Sequence, residues 1–197
     1  MSSAADGVGV RWETRGLTPT DAPPDIDLSR APEVRPLGVQ RWVGGGATVT
    51  TACYERALPL GWPGDDMGDD VDAVVLDRLA GVATRFAGEP LRVTARDPRA
   101  WTLAADHGAA RALLGFDGGK VVGCVLACQD GAAGAGACAS LATSATLDGA
   151  TGTAPPPGIV LALASGAIHH PGATLVASLA LIATVCAGLV RFRKRPG

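Results

Sequence analysis

The segment Ala173-Thr-Leu-Val-Ala-Ser-Leu-Ala-Leu-Ile-Ala-Thr-Val-Cys-Ala-Gly-Leu-Val190 constrains this chain more than any other. It holds no charge and no proline, and the basic run Arg191-Phe-Arg-Lys-Arg-Pro-Gly197 follows directly. At about 1.5 Å per residue a helix of this length is about 27 Å long, close to the ~30 Å hydrocarbon core of a bilayer. A long core helix in water needs a polar stripe, and Thr174, Ser178 and Thr184 are too few and too mild to supply one. Leu175, Leu179, Ile182, Val185, Leu189 and Val190 each favour insertion by about 0.3–0.6 kcal/mol at mid-bilayer. The pattern predicts one transmembrane helix from Ala173 to Val190, with the lipid bilayer as its solvent. A fully buried core helix is the competing reading.

The remainder of the 197 residues is enough for one domain. A net charge of -2 gives no phosphate-binding surface, so nucleic acid is not an expected partner. High glycine and proline, with abundant alanine, fit a high-GC bacterial genome. Met1 to Trp12 has neither a positive n-region nor an apolar core of signal-peptide length. With its hydrophobic element at the far end, the chain resembles the topological class of C-tail-anchored single-pass proteins. Orientation is contested. Arg191, Arg193, Lys194 and Arg195 would hold the tail in the cytoplasm by the positive-inside tendency, placing the body outside. Moving a seven-residue tail across the membrane is easier than exporting a whole body, and on that ground the body is expected in the cytoplasm.

Along the chain, residues 1–38 read as a flexible lead-in rich in proline, in which Val8, Val10 and Trp12 alternate as a short edge strand would. Gly44-Gly45-Gly46 reads as a hairpin turn and Thr48 to Tyr54 as a strand. From Asp70, Val71, Val74, Val75, Leu79, Val82 and Phe86 recur at helical spacing, with Asp72, Asp77, Arg78 and Arg85 off that stripe. Gly88 and Pro90 end the helix. Leu91–Arg96, Trp101–Ala105, Arg111–Phe116 and Lys120–Cys128 read as strands, the last two joined by a tight Asp117-Gly118-Gly119 turn that enforces antiparallel pairing. Ala137–Leu147 reads as a second helix.

The expected fold is therefore α+β, a mostly antiparallel sheet with one or two packed helices, over residues 39–148. A Pro/Gly linker follows at 149–158, a short interfacial segment at 159–172, the span at 173–190 and the basic tail at 191–197. The element order, with Pro59-Leu-Gly-Trp-Pro-Gly64 before the helix and a short helix after the last strand, resembles the Mog1/PsbP-like sandwich over about residues 40–148. That resemblance implies a non-catalytic binding or assembly role and assigns no functional residue.

Four constellations bear on chemistry. Asp65-Asp-Met-Gly-Asp-Asp-Val-Asp72 lacks the order of an EF-hand loop and reads as helix capping on a solvated acidic face. Cys124 and Cys128, four apart on a strand, face one side but miss the two-residue spacing of zinc ribbons and dithiol sites. Cys53, Cys124, Cys128 and Cys138 suit disulfides in an oxidising compartment and reduced buried thiols in the cytosol equally well; if a bridge forms, the expected one is Cys128–Cys138 across the Gly/Ala loop. His107 stands beside Asp106 without a nucleophile, and His169-His170 reads as polar punctuation between apolar segments. No catalytic residue, cofactor or metal is assigned. The expectation is a membrane-anchored, non-catalytic interaction or assembly module with a protein partner. The alternative is a membrane-tethered thiol-redox or metal-dependent enzyme using Cys124, Cys128 and Cys138. Small residues on the span, Ala177, Ser178, Ala180 and Gly188 among them, would also suit packing against other helices.

Overall fold

Glycine pairs close the two longest hairpins. Gly45 and Gly46, with φ of 58° and 80°, join β4 (Arg35–Gly44) to β5 (Ala47–Ala57). Gly118, with φ of 56°, and Gly119 join β8 (Gly108–Asp117) to β9 (Lys120–Asp130). Left-handed φ values of this kind match the right-handed twist of the flanking strands and are open to glycine without a Cβ penalty. The computed structural model describes residues 2–5, 7–13, 16–20, 34–57, 68–131 and 136–151. All belong to one unit, Met1–Leu58 with Gly64–Pro156, and the segments predicted at 159–172, 173–190 and 191–197 lie outside the described residues. Among the described residues, no helix is long and apolar enough to cross a membrane.

The fold is α+β and mostly antiparallel. Seven strands pair in the order β3-β4-β5-β9-β8-β7-β6, with β3 (Thr18–Thr20) at one edge and β6 (Arg92–Asp97) at the other. After β5 the chain crosses one face through α1 (Gly68–Ala87) to reach β6. It then returns strand by strand through β7 (Ala100–Ala104) and β8, until β9 pairs with β5 from Ala47↔Asp130 to Ala57↔Lys120. A three-stranded sheet, β1 (Ser2–Ala5), β2 (Val8–Arg11) and β10 (Thr146–Asp148), lies with α2 (Ala137–Ser144) on the opposite face.

Several expectations change. The stretch 1–38, read as a flexible lead-in, contributes three strands, and Val8, Val10 and Trp12 are buried in the core. β2 is the middle strand of its sheet, paired with β1 on one side and β10 on the other. Its burial depends on partners that arrive far along the chain, which a local reading of proline content does not see. The buried stripe of α1 also differs from the valine stripe. Asp72, Leu76, Leu79, Ala80, Ala83 and Ala87 face inward, whereas Val74 is 57 % exposed. Alanines carry little weight in a hydrophobic pattern, yet they let the helix lie close on β8 and β9. Asp72 is tolerated inside because Arg99 reaches it, Nε to Oδ2 at 3.1 Å. At the other end Gly88, with φ of 72°, donates its N–H to the Thr84 carbonyl at 3.1 Å and stops the helix. The second helix ends at Ser144, and Thr146 to Asp148 turn into β10 instead of extending it.

Leu79 seats on the bare backbone of Gly123 in β9. A Cβ at Gly123 would stand 2.9 Å from Leu79 Cδ1 and 3.1 Å from Cδ2. Replacing Gly123 with valine is therefore expected to push α1 off the sheet and lower stability by about 1–3 kcal/mol, read as a shift in the denaturant midpoint. Leu79→Ala combined with it should recover part of that loss, because the clash goes with the leucine.

Candidate functional site

The four cysteines among the described residues gather on one face of the large sheet, three in its strands and Cys138 in α2. Cys53 in β5 and Cys124 in β9 are directly opposite in register, their Cα atoms 4.2 Å apart, and they form a disulfide. Such close approach belongs to the narrow, non-hydrogen-bonded pairs of an antiparallel ladder. Four residues further along β9, Cys128 is bonded to Cys138, the second residue of α2, with Cα atoms 5.3 Å apart. All four are buried in one apolar cluster with Val10, Val49 and Leu126 and the edge-to-face pair Trp12–Trp42, centroids 5.0 Å apart. A dithiol that exchanges needs an accessible sulfur; these sulfurs are shut in the core, where Cys53–Cys124 ties β5 to β9 within the sheet and Cys128–Cys138 ties the sheet to α2.

Asp130, which the sequence did not single out, closes this region. Its carboxylate accepts from the N–H groups of Gly136 and Cys138, both at 3.3 Å, so an acid from the end of β9 serves the exposed donors at the start of α2. One ligand atom from each of Cys128, Asp130 and Cys138 falls within 4.8 Å of the others. Two thiolates and a carboxylate would suit zinc, but here the sulfurs bond each other and the carboxylate is engaged by the helix. Cys124 is not part of that grouping, being held by Cys53. His107 contributes no ligand atom to that grouping: its backbone N–H donates to Glu89 Oε1 at 3.2 Å and its carbonyl accepts from Asp130 N–H at 2.7 Å.

Among the described residues, charge collects in three places on or beside the large sheet. Glu55, 11 % exposed, accepts from Lys120 Nζ at 2.9 Å and Arg35 Nε at 2.6 Å. The hydrogen bond from Lys120, then that from Arg35, holds the Glu55 carboxyl below the usual carboxylate range. Asp72, the last acid of the run that leads into α1 and itself in its first turns, is buried and paired with Arg99, whose guanidinium also lies 5.0 Å over the Phe116 ring. The third is the β6–β7 hairpin, where Arg96 covers the Trp101 ring at 4.7 Å and Arg111 pairs with Asp97 at 3.6 Å. In β5, the Tyr54 hydroxyl is buried without a hydrogen-bond partner, and burial pushes its pKa up to about 12 against a smaller opposing pull from Arg85.

The bridge expected between Cys128 and Cys138 is present, whereas the partners Cys53 and Cys124 are separated by 71 residues and nothing local in the sequence pairs them. The anchor residues Ala173, Leu175, Leu179, Ile182, Val185, Leu189 and Val190, and the basic residues Arg191, Arg193, Lys194 and Arg195, lie outside the described residues, as do His169 and His170. Comparison with protein-family models, with curated proteins and with solved structures finds no match.

Two measurements follow from this geometry. Loop-closure entropy makes the longer bridge the stronger one: removing Cys53–Cys124 as a double alanine variant should cost about 4 kcal/mol, and removing Cys128–Cys138 about 3 kcal/mol. Equal losses in denaturant titrations would contradict a clamp that works through chain entropy. For Glu55 the folded pKa lies below the ordinary 4.5. Its contribution is thus complete above about pH 4.5 and is lost as pH falls through the lower folded value. Glu55→Gln should be less stable than the parent at pH 7, with the difference shrinking below pH 4 in thermal melts.

Proposed function

We propose that this chain is a membrane-anchored, non-catalytic interaction or assembly module whose disulfide-stapled α+β body works on the oxidising side of the membrane. The observation that carries the reading is the pair of buried bridges, Cys53–Cys124 and Cys128–Cys138, inside the core. Bridges of this kind persist where glutathione and thioredoxin do not keep thiols reduced. They add weight to the positive-inside side of the orientation question. The basic run Arg191, Arg193, Lys194 and Arg195 then stays in the cytoplasm, the segment from Ala173 to Val190 spans, and the body lies outside. The resemblance to Mog1/PsbP-like sandwiches supports a binding or assembly role over a catalytic one.

A second reading rests on the grouping of Cys128, Asp130 and Cys138. In it, exchange with a partner dithiol, which leaves oxidised to its own disulfide, reduces the Cys128–Cys138 bridge and frees two thiols beside a carboxylate, giving a membrane-tethered thiol-redox or metal-dependent enzyme. Stoichiometric zinc together with two free thiols in the purified protein would favour it.

The test uses the full-length chain in cells. After carbonate washing it should sediment with membranes, and protease added outside the membrane should digest the body. Alkylation under denaturing conditions should reach only Cys186 of the five cysteines until a reductant is added. A chain left in the supernatant overturns the anchor, and alkylation of Cys53 and Cys124 without reductant overturns the compartment.

A further inference from the structure

The two edges of the large sheet are not equivalent. β3 has three residues, and its central Pro19 has no N–H to offer. β6 has six residues and no proline, and among the described residues nothing pairs with its outer side. Arg92, Thr94, Ala95, Arg96 and Asp97 are exposed, with Val93 half-buried between them. An open row of backbone donors and acceptors of this length is a template for another strand.

Its side chains say which strand. Asp97, the one acid of β6, is occupied by Arg111. Arg96 lies along the Trp101 ring, and neither Arg92 nor Arg96 has a carboxylate partner among the described residues. The register shift between Val93 and Ala95 then sets their geometry. Arg92 stands opposite Ala104 and Arg96 opposite Trp101, three residues apart on β7, so the two guanidinium groups flank opposite faces of the sheet. The shift is held locally by Thr94, whose hydroxyl donates to the Thr102 carbonyl at 3.2 Å. A regular strand laid beside β6 meets both cations only if its own acids lie on opposite faces, and three positions is the spacing that reaches them. A second copy of this chain fits poorly, because its β6 offers one carboxylate, Asp97, and that is already paired with Arg111.

We propose that β6 receives an extended acidic segment of a partner protein as an added strand, with two carboxylates three residues apart meeting Arg92 and Arg96. This rests on the reading of the body as an interaction module and names its surface and the chemistry of its partner.

The probe is a fluorescein-labelled peptide, Thr-Val-Glu-Thr-Val-Glu-Val-Thr, titrated at low ionic strength into the full-length chain in detergent micelles. Binding is expected, weakening as salt screens the charges, with slowed amide exchange confined to β6. The R92E/R96E double variant should bind it at least about tenfold more weakly. The same variant should gain affinity for the peptide with lysines in place of glutamates, a reversal that misfolding cannot produce. No binding at millimolar peptide, equal affinity in the variant, or protection away from β6 overturns the proposal. So does β6 protection that rises with protein concentration in the absence of peptide, which assigns the edge to a second copy. Cross-linking of a cellular partner to a different face sinks this edge while leaving the interaction-module reading intact.

Discussion

The pairing of β5 with β9 is the constraint on which the rest of the body depends. Every other contact in the large sheet joins strands that follow one another in the chain, from β3 to β5 and from β6 to β9. The β5–β9 ladder alone joins those two halves, and it does so across a loop that holds α1 and three strands. Closing such a loop costs chain entropy before any contact repays it. Both faces of the seam are therefore reinforced. On one, Cys53 is bonded to Cys124; on the other, Leu79 of α1 sits on Gly123, directly opposite Tyr54. The covalent bridge lowers the entropy of the open chain, and the glycine gives the crossing helix its close seat.

The second layer repeats the device at the chain ends of the body. β2 and β10 come from opposite ends of the described chain and pair antiparallel, with Arg11 reaching Asp148 at 2.8 Å. Thr151 then exchanges backbone hydrogen bonds with Phe116, at 2.8 and 2.9 Å. The entry and exit of the body are thereby tied to the same sheet that the disulfides clamp. Exposed pairs such as Arg11–Asp148 add little energy by themselves. Their positions matter more, since they close a layer whose apolar side, with Val8, Val10 and Trp12, would otherwise face water.

What could be read from the sequence was local. The glycine turns, the long helix with its glycine stop and the β8–β9 hairpin follow from φ requirements and periodicity that a few residues carry. The α+β class followed from those elements. What could not be read depended on sequence-distant partners. β4 was missed because Pro36 and Gly38 interrupt its pattern, and the structure absorbs them as a register shift opposite β5. Asp72 looked solvated until Arg99, from the β6–β7 turn, was placed beside it. Of the cysteine pairs, the one spanning 10 residues was legible and the one spanning 71 was not. Asp130 gave no signal, because a cap donated from another element leaves none of the usual Ser/Thr/Asp spacing next to the helix.

Rigidity and an open edge belong together in a binding module. Strand addition orders the incoming segment, and that ordering is one of the costs of the association. A receiving strand that itself had to order would add to it. Here β6 is held by β7 over its length, its bulge is pinned by Thr94 and its Arg96 is laid flat on Trp101. Behind it the sheet continues without a break to the Cys53–Cys124 clamp. In the proposed strand addition the covalent bridge fixes the template, and the exposed cations select an acidic segment over a second copy of β6, whose one carboxylate is already paired with Arg111.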